Sequence, residues 1–353
     1  MLSVSFLVLL AACQKDPEFD DKIIKNTCGT PTNIKFYSYA SPMPIPADNP
    51  TTEEGIELGR HLFYEKMLSG DNTQACASCH KQGFAFADNV KFSKGIDGFE
   101  GTRQAMPIFN QGYAKEFFWD GKANSLEEVM LFPIQSEIEM HESVFKAIKK
   151  LQQSDKYPAM FYAAFCDSTI TVENTAKAMA QFMRSLVAYS PKMLYNDEGA
   201  ASRSKAEQLG YEVFIDENKG DCFHCHTTTI FNTTYGFENN GLNADPTKDP
   251  GRFAQTGNPQ DIGKFKVPSL LNVKYTAPYM HDGRFNTLLE VINFYDTGFQ
   301  KSPTLSPNIA KHVGLNGKPK SRMTEQEKLA LLYFLNRYSD TTLMTKPQYS
   351  DPN

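Results

Sequence analysis

Basic runs are missing from this sequence. Its 36 Lys and Arg are outnumbered by 41 Asp and Glu, for a formal net charge of −5. It therefore lacks the cationic footprint of a nucleic-acid binder. Long apolar runs are missing too, apart from MLSVSFLVLLAAC at the N-terminus, which is too short to span a bilayer. Strand signals are scarce. Tryptophan occurs once, at Trp119, and histidine only seven times. What is present is a globular composition, 41% hydrophobic over 353 residues, which suits about two domains with a real core.

The N-terminal run ends Leu10-Ala11-Ala12-Cys13, small residues behind an apolar core, as in a secretion signal. It resembles the lipobox of bacterial lipoproteins, although the usual Lys/Arg stretch ahead of the apolar core is absent. The expectation is a signal peptide over 1–12, lipidation of Cys13 and a polar tether over 13–45. The protein would then be exported and anchored through Cys13 in the periplasm or cell envelope. Six further cysteines need assignment. Cys76, Cys79, Cys222 and Cys225 fall in two motifs. Cys28 and Cys166 remain, either as a disulfide pinning the tail to the first domain or as two separate thiols.

Most periodic segments read as helices, so the expected fold is mainly α. Thr51-Thr52-Glu53-Glu54 opens one helix with a capping pattern, and Ile56, Leu58, Leu62 and Phe63 give it an apolar face. Ser125 with Glu128 opens another. Residues 141–153, 157–166 and about 172–190 read as three more. Ser204 with Glu207, and Thr324 with Glu327, cap two further helices. Residues 93–104 and 231–262 read as long loops, which usually wrap or do something. The layout repeats: a capped helix precedes CASCH at 76–80, another precedes CFHCH at 222–226, and an irregular wrap follows each. Two cytochrome c-like helical domains are expected over 46–197 and 198–345, with a break near 195–203.

Cys-x-x-Cys-His is the attachment signature of c-type haem. Two thiols bond the macrocycle and the adjacent imidazole takes the iron, all from one turn of chain. Structural zinc prefers two cysteine pairs at short separation, and a disulfide within Cys-x-x-Cys rarely serves structure. Two covalent haems are therefore expected, with His80 and His226 as proximal ligands. Between His80 and Met106 there is no His or Met, which predicts an open distal face at the first iron. After His226 the candidates are Met280, His281 and Tyr295. Tyr295 shares a helical face with Leu288, Val291 and Ile292, which by itself is a core pattern. Of the remaining histidines, His61 and His312 read as surface or helix-face residues, His224 as exposed between its cysteines, and His141 as part of a polar stretch. His281 reads as a contact to a haem propionate or part of a metal-binding loop.

From about Gly55 to Tyr338 the chain resembles the bacterial di-haem cytochrome c peroxidases, including their MauG-like branch. The resemblance rests on LGRHLFYEKMLSGDNTQACASCH (58–80), FFWDGKANSLEEV (117–129), FPIQSEIEM (132–140), FKVPSLLNVKYTAPYMHDGRF (265–285) and the helix through Tyr295. It implies that Trp119 relays electrons between the haems, that Glu139 is the distal acid/base, and that Pro133 walls the distal pocket. It implies that Tyr295, where the classical members have methionine, ligates the second iron. It also implies a calcium ion between the domains, bound by carbonyls of Thr276 and Pro278, with Gln104 standing where the family has asparagine. The activity implied is reduction of hydrogen peroxide with electrons from a small donor protein, a cytochrome or cupredoxin. A MauG-like oxidation of a partner or small substrate, and a purely electron-carrying di-haem protein, are the alternatives. Family members are often dimers.

Overall fold

The computed structural model describes residues 28–32, 42–189, 202–226 and 236–352. The signal over 1–12, Cys13, most of the tether and most of the break near 195–203 lie outside them. The described chain is mainly α-helical, as expected. Its one strand pair is β1 (Phe237–Glu238) against β2 (Phe265–Lys266), antiparallel and two residues long. No helix among the described residues is long and apolar enough to cross a membrane.

The caps read from the sequence start the helices. Thr52 accepts from Gly55 N and opens α1 (Glu53–Phe63). The haem-motif turn α2 (Cys76–Cys79) follows. Ser125 accepts from Glu128 N and opens α3 (Leu126–Val129), and α4 (Leu131–Gln135) carries Pro133. Then come α5 (Val144–Gln152), α6 (Tyr157–Phe165) and α7 (Val172–Ser185). In the second half, a reciprocal capping box at Ser204/Glu207 opens α8 (Lys205–Ile215), one at Thr287/Glu290 that the sequence reading did not name opens α9 (Leu288–Asn293), and one at Thr324/Glu327 opens α10 (Glu325–Asn336). Each such cap is worth about 1 kcal/mol.

Two helix crossings organise the chain, α1 on α7 and α8 on α10. They are the same crossing made twice. A side chain at Gly59 would meet Ala178 O at 2.0 Å, and one at Gly210 would meet Ala330 O at 2.0 Å. Glycine is therefore what lets each pair of backbones close. One turn along, Phe63 packs on Phe182 (ring centroids 5.2 Å apart) and Phe214 on Phe334 (5.4 Å). The sequence spells both as Leu-Gly-x-x-Leu/Val-Phe facing Ala-x-x-x-Phe. One contiguous apolar cluster runs through both crossings, from Leu58 to Tyr349.

The expected helix 172–190 stops at Ser185. Leu186–Tyr189 instead runs as a strap held by side chains distant in sequence. Asn110 Nδ2 donates to Ala188 O (3.2 Å), Asn110 Oδ1 accepts from Ala188 N (2.8 Å), and Asp340 accepts from Tyr189 N (2.8 Å). These partners replace the i→i−4 bonds a longer helix would have made. The second half repeats the device: Asn272 N donates to Tyr338 O, and Asn272 Oδ1 accepts from Asp340 N at 2.6 Å. Asn110 and Asn272 both adopt the left-handed conformation (φ 56° and 52°).

Cys28 and Cys166 form a disulfide, with Cα atoms 5.4 Å apart. Cys166 stands at a helix terminus. It is the left-handed residue that ends α6 (φ 53°). The C-terminal stretch returns to the first half. Arg60 donates to Pro347 O and Ser350 O, Tyr64 to Tyr349 O (2.7 Å), and Gln82 to Lys346 O (2.9 Å).

Candidate functional site

In the first half, α2 brings Cys76, Cys79 and His80 together. The His80 amide donates to Cys76 O (2.9 Å). Its ring Nδ1 lies 3.1 Å from Phe86 O, and the Met106 carbonyl also reaches the ring. Burial pushes the Cys76 thiol up to about 12, raises Cys79 and lowers His80, so all three are neutral in an apolar setting. Glu139 faces them from the turn after α4, close enough for its charge to raise both thiols. That turn is held by the backbone of the 93–104 loop, with Ile96 N on Glu139 O at 2.9 Å, and by Gly70 N on Met140 O at 2.8 Å. The Glu139 side chain is exposed at the mouth of this site, with protein packed along its inner side. Desolvation raises its pKa and the nearby Lys122 opposes the rise. Pro133 is half-buried, and its carbonyl accepts from Met140 N (3.2 Å).

In the second half, one cavity gathers Cys222, Cys225, His226, Met280, His281 and Tyr295, together with Trp119, Gln104, Thr276 and Pro278. His226 Nδ1 lies 3.1 Å from Pro268 O, repeating the His80 arrangement, and burial lowers its pKa to about 4. The Cys222 and Cys225 thiols are pushed up by burial, to about 12 and about 11. Tyr295 lies in a π-helical turn, Phe294–Gly298, which continues α9. Such turns are frequent at functional sites. Burial raises its hydroxyl to about 12. Asn240 Nδ2 reaches both Tyr295 OH (3.2 Å) and Met280 Sδ (3.5 Å), so the two candidate ligands share one donor.

The π turn is clamped by residues that sequence reasoning missed. Arg322 Nη2 donates to Tyr295 O (2.7 Å). Asp296, fully buried, accepts from Arg322 N (2.7 Å) and Ser321 Oγ (3.0 Å) and pairs with Lys328 (3.1 Å). Neither these residues nor Asn240 carry a motif, because they lie in irregular stretches or on the polar side of a helix.

Trp119 is fixed between the halves. Its indole donates to Gln104 O (2.8 Å), its carbonyl accepts from Lys266 N (2.8 Å), and its ring meets His281 edge-on at 6.3 Å. His281 is stacked on Phe265 at 3.6 Å, with its carbonyl on Gln104 N (2.8 Å). Arg103 bridges Asp120 (2.8 Å) and Asp249 (2.7 Å), tying the Trp119 turn to the second half. Lys266 donates to Glu116 O (2.6 Å), and burial lowers it to about 8.

Two expectations for the other histidines change. His224 is half-buried rather than exposed, with Nδ1 2.5 Å from Asp221 Oδ1. His312 is no surface residue: it lines the second cavity with Nε2 2.9 Å from the same carboxylate, on Oδ2. Buried Asp221 draws both rings inward. His61 pairs with Glu57 on its own helix (3.2 Å), and His141 with Asp97 (2.5 Å).

The halves also match through their distal segments, in a constant register (281 − 119 = 295 − 133 = 162). Trp119 corresponds to His281, Asp120 to Asp282, Lys122 to Arg284 and the cap Ser125 to Thr287. Phe118 and Met280 share the left-handed conformation (φ 66° and 74°). The partner of Tyr295 in this register is Pro133. A proline offers no ligand, so the position that carries a phenol in the second half carries none in the first.

The residues fit a c-type haem in each half. The four motif cysteines are free thiols, each imidazole is oriented through Nδ1 by a backbone carbonyl, and the second cavity is lined largely by apolar side chains. Among the described residues, no group of three or more His, Cys, Asp or Glu is placed to hold another metal ion. This duplicated helical arrangement defines a two-centre c-type cytochrome. Residues 53–197 match the family model of the di-haem cytochrome c peroxidases. The chain is 30% identical over 342 residues to the cytochrome-c peroxidase IdrP1 of Denitromonas iodatirespirans, covering 88% of this chain and 87% of that one. It is 32% identical to the methylamine utilization protein MauG of Methylophilus methylotrophus, over 76% of this chain and 80% of that one. It also resembles the crystal structure of a MauG-like protein associated with microbial copper homeostasis, with TM-score 0.82 and 33% identity, covering 91% of this chain and 99% of that one. The chain belongs to the di-haem cytochrome c peroxidase family: it is a peroxidase-type oxidoreductase with two c-type haems.

Proposed function

We propose that this protein reduces hydrogen peroxide to water at the His80 centre, drawing electrons from the His226 centre past Trp119. The observation that carries this reading is the asymmetry between matched positions, Pro133 in the first half and Tyr295 in the second, with Glu139 beside the first. Cys76, Cys79 and His80 would hold one haem, and Cys222, Cys225, His226 and Tyr295 the other, with Met280 the competing ligand. Bound there, the first haem would supply a binding face and electrons for peroxide, and the second would store one of the oxidising equivalents left behind.

Glu139 takes a proton from the near peroxide oxygen and returns it to the departing one, leaving water. Desolvation suits it to both roles by raising its affinity for the proton. Pro133 and Met140 keep that carboxyl's surroundings apolar. Trp119, locked by Gln104 and Lys266, lies on the path between the centres. An anionic Tyr295 oxygen, steadied by Asn240, favours the oxidised state of the second centre.

The donor is a small redox protein, and Cys13 anchors the chain to a membrane of the cell envelope, as its lipobox-like context suggests. A calcium ion between the halves would take carbonyls of Thr276 and Pro278 with the side-chain oxygen of Gln104, an all-oxygen set. Chelator treatment should then weaken coupling between the centres, seen as a slower second oxidising step, and added calcium should restore it. Unchanged kinetics would remove calcium from the reading. A second reading, oxidation of a partner protein or small substrate in the MauG manner, is favoured by a tyrosine at position 295.

Electron paramagnetic resonance of the ferric protein, before and after one equivalent of peroxide, tests both readings in wild type and Tyr295→Met. One high-spin and one low-spin signal, both lost on peroxide addition, are expected, with the low-spin signal altered in the variant. Two low-spin signals indifferent to peroxide would leave only an electron carrier.

A further inference from the structure

One tight turn is made twice, in matching register. Phe117 N donates to Ala123 O (2.9 Å) to close it in the first half, and Tyr279 N to Phe285 O (2.7 Å) in the second. An aspartate stands at the same step of each turn, Asp120 after Trp119 and Asp282 after His281. Asp282 is answered from its own turn, where Arg284 Nε and Nη2 donate to its Oδ2 at 2.8 and 2.5 Å. In the first half the matching cation, Lys122, lies over the rings of Phe118 and Phe132 (4.3 and 4.7 Å to the centroids). Buried Asp120 is met from outside the turn instead. Its Oδ2 takes Arg103 at 2.8 Å and Gln255 at 3.1 Å, while its Oδ1 accepts from Lys122 N at 3.3 Å.

Arg103 reaches both halves. Its Nε and Nη2 donate to the two oxygens of Asp249 at 2.9 and 2.7 Å, a planar fork on a planar fork. Its guanidinium lies 5.4 Å from the ring centroid of Phe265. Phe265 stacks on His281, whose ring meets Trp119 edge-on. The neighbour of Arg103, Gln104, accepts the indole N–H on its carbonyl (2.8 Å). Two consecutive residues therefore hold the indole and the carboxylate beside it, and the first of them also grips the second half. The other contacts across this seam fix the turn's backbone. Arg252 donates to Asp120 O and Gly121 O (3.2 Å each) and pairs with Glu116, and Lys266 donates to Glu116 O (2.6 Å). Removing the Arg103 charge would leave two carboxylates that both point at the same place, one of them buried.

We propose that Arg103 is a positioning residue for electron transfer between the two centres: by joining Asp120 to Asp249 it holds the Trp119 indole against the second half. This rests on the reading that Trp119 lies on the path between the centres.

Trp119 is the single tryptophan, so its emission reports this turn alone. In the holoprotein, energy transfer to haem quenches it. In Arg103→Gln the emission should rise, shift to longer wavelength and become more open to acrylamide. Electron transfer between the centres, followed after flash photoreduction, should slow by about tenfold or more. The paramagnetic resonance signals of the two ferric centres should stay as in wild type. Asp249→Asn, a change confined to the second half, should move both readouts in the same direction. Arg103→Lys keeps the charge without the fork and should fall between Arg103→Gln and wild type. If Arg103→Gln fails to fold or load haem, Asp249→Asn and Arg103→Lys carry the test. Wild-type emission and transfer rate in the neutral variants overturn the proposal, even where thermal stability is lost. A transfer rate unchanged in Trp119→Phe would instead sink the path reading, while the emission of Arg103→Gln still decides whether Arg103 positions the indole.

Discussion

Pro133 and Tyr295 stand at the same step beyond their N-caps, Ser125 and Thr287, in two halves whose helix crossings, asparagine bridges and entry turns match. The shared parts are those that build a haem fold: a glycine for close helix approach, a Cys-x-x-Cys-His turn, a carbonyl to orient the imidazole. The parts that differ face the distal side. There the first half offers a proline, a glutamate and a lysine set over two aromatic rings. The second offers a phenol, a thioether and a neutralised arginine. The two halves thus share one scaffold and differ at a few distal positions, the difference on which the proposed division of roles rests.

The largest test of that comparison is Glu139→Gln. It should slow peroxide reduction by about 10²–10⁴-fold and leave the second centre's spectrum unchanged, as stopped-flow mixing would read out. Loss of the second centre's signal as well would mean the halves are not separate in function.

Next comes the pair Asp296→Asn and Ile134→Val, again matched positions. Asp296 is fully buried on Lys328, Ser321 Oγ and Arg322 N, so removing its charge should cost about 3–5 kcal/mol and disturb Tyr295. Ile134 is its apolar counterpart in the first core, and losing one methyl there should cost about 0.5–1.5 kcal/mol. Denaturant unfolding of the holoprotein measures both, and equal costs would deny the second half its polar clamp.

The smallest difference is expected at the crossings. Gly59→Ala and Gly210→Ala each force a methyl against a backbone carbonyl, and each should cost about 1–3 kcal/mol. Thermal unfolding should show similar losses for the two, since the geometry is the same. A cost at only one of them would mean that the crossings bear unequal load.

The sequence by itself determined much of this protein. Local chemistry dictated the N-caps at Thr52, Ser125, Ser204 and Thr324, since a hydroxyl before an apolar-periodic run meets orphan amides whatever the rest of the chain does. The Cys-x-x-Cys-His turns needed no tertiary information either, because covalent spacing alone carries their meaning. Family resemblance brought Trp119, Glu139, Pro133 and Tyr295 to attention, and the structure gathers Trp119 and Tyr295 at one cavity and sets Glu139 opposite Cys76 and Cys79. Only the tertiary structure decided where α7 stops, because the bonds that replace its last turns come from Asn110 and Asp340. Only it paired Cys28 with Cys166, turned His224 and His312 onto Asp221, set Asn240 between Tyr295 and Met280, and placed Lys122 over two rings. Those outcomes depend on which groups are already satisfied by partners far along the chain, and no local pattern of residues records that.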